Sequence, residues 1–259
     1  MSVLISAFAA CILAQGRETD ARTLILQGFP MALALVMISV LLAAAEQNSK
    51  AVEGKSIASK ALCILLALWL LWELGETLLQ IQTICWTEFS SMAVIGLLPL
   101  LLWAGWKLEP AVFDRSTPIL GWAAVLAVLL CLLGLRGQPH WENLMEPSSS
   151  AALTVPLYAE YFFLPFFCPP AEIKRAVWLP VRTFGLTALF ALGMGAVFGQ
   201  EQFYPGTELL RAGTLGTISR FDALVLLVWL ALALFRVCFL LQALRQLWQR
   251  IRPPKEEPA

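Results

Sequence analysis

"YPGTELLRAGTLGTISRFDALVLLVWLALALFRVCF", residues 204–239, is the stretch that decides the fold. A polar segment rich in glycine and threonine runs straight into a long apolar one, with Arg220 and Asp222 at the junction and Arg236 well inside. The apolar run from 221 to 248 exceeds the about 20 residues a helix needs to cross a bilayer. It shows no alternation of period two, so a strand of a membrane barrel does not fit. Backbone groups in hydrocarbon must be satisfied within their own segment, so the run reads as a helix. Asp222 then falls in the first turn, where a carboxylate complements the helix dipole.

The rest of the chain has the same character. Its 259 residues are 59% hydrophobic and 14% charged, with a mean hydropathy of +0.75. Soluble domains carry about 25% charged residues. Apolar runs give about eight spans, at 3–14 (short), 24–45, 58–80, 91–108, 119–135, 151–167, 177–198 and 221–248. The expected fold class is therefore an all-α polytopic membrane protein. A transmembrane domain covers 1–248 and a disordered tail covers 249–259. The first run lacks the basic flank of a signal peptide. The formal net charge is zero, which gives no reason to expect a nucleic acid partner.

Lysines and arginines in the connections and at the span ends that adjoin them, Arg236 left out, divide unevenly between alternate connections, twelve on one side and five on the other. The richer side is cytoplasmic by the positive-inside rule. Both termini are then cytoplasmic. The outer connections include a long one after 198, in which "PGTELLRAG" suits a short helix with Thr207 as N-cap and Gly213 as stop.

Few ionisable residues lie inside spans, and those are functional candidates. Glu73 and Glu76 are three apart, which predicts one helix face near the outer end of the third span. Glu160 follows Pro156 and Tyr158 and precedes Pro165, in a sixth span that prolines should break. Broken spans expose backbone groups that can serve a midplane binding site. Arg236, measured from Phe221, falls nearer the cytoplasmic end of its span. The expectation is that it snorkels to that surface; the alternative is a buried pair with a carboxylate such as Glu160. Small residues at Gly185, Gly193 and Gly195 predict a close-packing face on the seventh span. The six cysteines are scattered through apolar runs as packing residues. The single histidine, His140, lies in a polar connector. No catalytic motif, metal set or cofactor signature is present, so neither an enzyme nor a cofactor is expected.

Three stretches together resemble the spore germination permeases, the B subunits of bacterial spore germinant receptors. The first is the late segment with Tyr204-Pro205, Glu208 to Arg211, Arg220, Asp222 and Trp229. The second runs from "WELGETLLQIQ" to "WKLEPAVFDR", with Glu73, Glu76, Gly105 and Arg115. The third is "LYAEYFFLPFF", where Glu160 matches the family's glutamate. Ala159 stands where the family often has Gly, and Trp72 where it often has Arg. That family is similar to the amino acid–polyamine–organocation transporters, with ten spans in two inverted repeats of five; eight are read here. The resemblance implies a partial version of that broken-helix fold. Its ligand site lies between the first and sixth spans with the third and eighth alongside. It implies Pro156, Tyr158, Glu160, Glu73 and Trp229 as ligand-binding residues. The function it implies is a receptor subunit in a spore inner membrane or cell membrane, sensing a nutrient such as an amino acid with partner subunits. Alternatives are a solute permease of the same fold and a non-binding accessory subunit.

Overall fold

The computed structural model describes residues 2–13, 21–49, 57–89, 93–134, 139–144, 160–161, 177–199 and 221–251. Among these, all regular structure is helical. The helices are α1 (Ser2–Leu13), α2 (Ala21–Ser49), α3 (Ile57–Phe89), α4 (Ala93–Lys107), α5 (Pro110–Gly134), α6 (Leu179–Phe198) and α7 (Phe221–Ile251). A 3-10 turn, Trp141–Leu144, lies between α5 and α6. Seven of the eight apolar runs thus become helices. Of the eighth, 151–167, only Glu160 and Tyr161 are among the described residues, both helical. The proline-rich remainder, Arg220 and the "PGTELLRAG" segment lie outside them.

Helix α7 is the hub. Its most extensive packing is against α3, and it also packs against α1, α4 and α5. Helix α2 pairs with α6, and α1 touches both α6 and α7. The sequence of α7 explains its place. It is apolar on nearly every side, and Val225, Trp229, Leu232, Leu240 and Leu247 are all buried. A helix that is apolar all round belongs at the centre. The outer helices bury one face only. On α3 and α5, Trp72, Leu79, Ile119, Trp122 and Leu126 are exposed. Water would penalise so broad an apolar surface, whereas lipid matches it. Five helices, α2, α3, α5, α6 and α7, are long and apolar enough to cross a membrane. At 12 and 15 residues, α1 and α4 are shorter than a full span.

Several boundaries differ from the sequence reading; the third helix, for one, runs to Phe89 and not 80. The fifth helix starts at Pro110, not 119, because Pro110 suits a first helical position and Pro118 is accommodated inside. The connection from α4 is only Leu108 and Glu109. The last helix runs to Ile251, past the expected limit at 248.

Helix ends are closed by side chains from neighbours. The last four carbonyls of a helix have no partner within it. At the end of α4, the Gln242 amide nitrogen donates to the carbonyls of Gly105 (3.1 Å) and Leu108 (2.6 Å), and Arg245 donates to that of Trp106 (3.1 Å). At the end of α6, the Ala196 carbonyl accepts from the His140 backbone N–H (2.8 Å) and the Asn143 amide (3.3 Å). The polar connector therefore docks on α6. Gly199 closes that helix in a left-handed conformation, φ 84°.

Of the small residues expected to form a close-packing face on α6, Gly195 is buried and Gly193 half-buried, but Gly185 is not. Gly185 is exposed, with open space where a Cβ would stand. The approach of α2 to α6 runs through Gly28. A Cβ there would sit 2.6 Å from Cε2 of Phe184. Gly105 of α4 does the same against Leu241 of α7, at 2.6 Å.

Candidate functional site

The middle of the bundle holds a charged cluster. Arg236 lies fifteen residues from either end of α7, about 22 Å along the helix each way. Glu73 lies sixteen residues from either end of α3. Both are therefore central in helices of roughly 45–50 Å, and near the middle of the stretches that can span a membrane.

Arg236 is 2% exposed, Glu73 6% and Glu160 1%. The guanidinium uses every face of its fork. Its Nε donates to Glu160 Oε1 at 3.0 Å. Its Nη2 donates to Glu73 Oε2 at 2.6 Å, and reaches Glu160 Oε2 at 3.4 Å. Its Nη1 donates to the Thr77 hydroxyl at 2.7 Å. Thr77 sits one turn after Glu73 on the same face of α3, and donates its own proton back to the Glu73 carbonyl (2.7 Å). That leaves its oxygen free to accept. From α1, the buried Ser6 hydroxyl donates to Glu160 Oε1 at 2.7 Å. Four parts of the chain thus meet in one cluster: α3 and residue 160 on the guanidinium of α7, and α1 on Glu160.

Arg236 does not snorkel. The sequence reading ended its helix at 248 and placed it near the cytoplasmic end. Helix α7 continues to Ile251 and is packed on several sides, so the side chain has no short route to a surface. The buried pair with Glu160 is what forms. Glu73 is likewise not at the outer end of its span, because α3 continues to Phe89. Glu73 and Glu76 part company: Glu73 is buried and Glu76 exposed. The residue that shares the buried face with Glu73 is Thr77, four positions on.

A second polar group adjoins the first. Tyr161, next to Glu160, places its hydroxyl 2.5 Å from that of Thr183 on α6. Ser39 of α2 donates to the Tyr161 carbonyl at 3.3 Å. Cys11 of α1 points its thiol at the Thr183 carbonyl, 3.8 Å away. Neighbouring residues thus bond to different helices: Glu160 to α1 and α7, and through Arg236 to α3, while Tyr161 bonds to α2 and α6.

Of the residues expected at the site, the fold brings Glu73 and Glu160 together on Arg236. Trp229 stands seven residues before Arg236, about 10 Å along α7. It is buried in an apolar cluster with Ile5 and Ala9 of α1 and Ala124 and Ala127 of α5. Pro156 and Tyr158 lie outside the described residues. The sequence reading did not single out Ser6 or Thr77. The four-residue spacing from Glu73 to Thr77 was the available signal; a serine in an apolar run like Ser6 carries none.

Chemically, the cluster carries groups of the kind that bind both anions and cations. A planar guanidinium binds carboxylates in a fork, and two carboxylates beside it can bind an ammonium. Charged groups this deep are expensive, and they mark functional positions in membrane proteins.

No family model, curated protein or solved structure matches the chain. What its helices establish is an all-α, multi-span integral membrane protein.

Proposed function

We propose that this protein is the membrane subunit of a spore germinant receptor, sensing a small nutrient, most simply an amino acid. One observation carries the reading. The Ser6–Glu73–Thr77–Glu160–Arg236 cluster joins α1, α3, residue 160 and α7. These correspond to the first, third, sixth and eighth spans, the four that the resemblance to germination permeases puts around the ligand. An amino acid brings a carboxylate for Arg236 and an ammonium for Glu73 or Glu160. It would enter by exchanging ion pairs, so that no buried charge is left unpaired, which is the costly outcome. Residues around the cluster, Pro156, Tyr158 and Trp229, would shape its walls. Binding drives signalling only if two packings of these helices differ in affinity for the ligand. Partner subunits in a spore inner membrane would read that change, with both termini on the cytoplasmic side.

Thermal unfolding of the purified protein against a panel of amino acids, nucleosides and sugars tests the reading. A ligand that binds only the folded form raises the midpoint, by about 2.7 kcal/mol of stability at a hundredfold excess over its Kd. The expected result is a shift with one amino acid, lost in Glu160→Gln. No shift with any compound, in protein that unfolds cooperatively, overturns it. Uptake of the stabilising amino acid into proteoliposomes would identify a permease instead.

A further inference from the structure

We infer that the face of α3 around Glu76 docks a transmembrane helix of a different protein, one that brings a lysine or arginine to the middle of the membrane. This requires only that the chain spans a membrane and does not depend on the nutrient proposed above. Glu76 is exposed and makes no hydrogen bond or ion pair with any described residue. It lies three residues after the buried Glu73, about 4.5 Å along the helix.

Two exposed side chains mark where α3 meets the membrane surfaces. Lys60 comes sixteen residues before Glu76, and Trp86 ten residues after it. Lysine near a helix end extends its ammonium to the surface, and tryptophan prefers the headgroup level. The two are about 39 Å apart along the helix, close to the about 40–45 Å of a bilayer with its headgroups. Glu76 is then about 24 Å from one marker and about 15 Å from the other, inside the hydrocarbon. Its neighbours on this face are apolar. Leu68, Trp72 and Leu79 are 58%, 68% and 70% exposed, which suits lipid or another helix and not a water-filled vestibule. A carboxylate is costly to leave against lipid at this depth, and such residues pair. Gly75, beside it, has open space where a Cβ would stand, which leaves room for a helix to approach closely.

Charge complementarity selects the occupant. A neutral donor would leave the carboxylate uncompensated in hydrocarbon, whereas a lysine or arginine cancels it. A second copy of this chain does not supply one among the described residues. A two-fold contact repeats the same patch on both subunits, so Glu76 would face Glu76. For a contact between unlike faces, the exposed Lys60, Lys107, Arg115 and Arg182 all lie within six residues of a helix end, and so do the half-buried Arg245 and Arg250. Arg236 is central but buried.

A photoreactive amino acid at position 79, on the same face, tests this in the full chain in its native membrane. The cross-linked peptide is identified by mass spectrometry. The expected adduct is an apolar segment of another membrane protein, long enough to span and carrying a lysine or arginine. Its yield should fall about tenfold in Glu76→Leu, as for the loss of an interhelical polar contact. Exchanging the two charges, with Glu76→Arg and a glutamate at the partner's basic position, should restore it. Adducts only with lipid, with a second copy or with another stretch of this chain overturn the inference. A captured segment without a basic residue does so too, as does a yield unchanged in Glu76→Leu. Thermal unfolding confirms that the variant is folded, and Glu76→Gln supplies the same comparison should it not be.

Discussion

Arg236 makes four hydrogen bonds through three nitrogens, and that sets what can replace it. Lysine keeps the charge but offers a compact point donor in place of a fork. Arg236→Lys is expected to lose about 1–3 kcal/mol through groups left without a donor. Arg236→Met should lose about 3–5 kcal/mol, because two buried carboxylates lose their cation. Unfolding in detergent by denaturant measures both; equal stability of Arg236→Lys and the native protein would contradict the buried fork. Thr77 gives a cleaner probe, since its hydroxyl accepts from Nη1 while donating to its own helix. Thr77→Val should cost about 1–3 kcal/mol, and Thr77→Ser far less. Glu73 and Glu160 were legible as candidates because ionisable residues are rare in these spans. Their junction was not, because what keeps Arg236 from a surface is the packing of α1, α3, α4 and α5 around α7, which no single run of sequence displays. The three further helical residues move the midpoint of the helix by only about 2 Å.

At the scale of elements, α4 depends on a neighbour for its end. Gln242 donates to the carbonyl of Gly105 and to that of Leu108 just past the helix, so Gln242→Leu leaves both without that donor. We expect a loss of about 1–3 kcal/mol, with earlier hydrogen exchange at 104–108 than in the native protein. The contact of α2 with α6 depends on Gly28. Gly28→Ala should destabilise by about 1–3 kcal/mol by overpacking, and Phe184→Leu should relieve much of that. A double-mutant cycle reads the coupling; additive effects would mean the two helices do not meet there. The helices themselves were readable from apolar runs, since seven of the eight runs formed them. The meeting of α2 and α6 was not, because a glycine's role depends on what lies opposite. Gly185 faces open space, whereas Gly28 faces an aromatic ring.

For the whole molecule, burial separates an inner helix from a lipid-facing shell. Trp122 on α5 is 76% exposed and Trp229 on α7 only 2%. Variants that keep a single tryptophan should show this in vesicles of brominated lipid. Fluorescence from Trp122 should be strongly quenched and that from Trp229 largely spared. Similar quenching of both would contradict α7 as the hub. Membrane class and helix order were legible from composition and run length alone. The centrality of α7 was visible in its continuous apolar sequence, but its partners were not, since any outer helix could have packed on any of its faces.

Glu160 and Tyr161 are consecutive, yet they fasten to different sides of the bundle. Glu160 holds α1 and α7, and through Arg236 it is joined to α3, whereas Tyr161 holds α2 and α6. One peptide unit therefore acts as a rivet through two plates. Pulling the α2–α6 pair away strains the same backbone that positions the ion pair, so loosening one side weakens the other. Helix packings joined in this way should give way together, in a single cooperative transition and not as separate foldons.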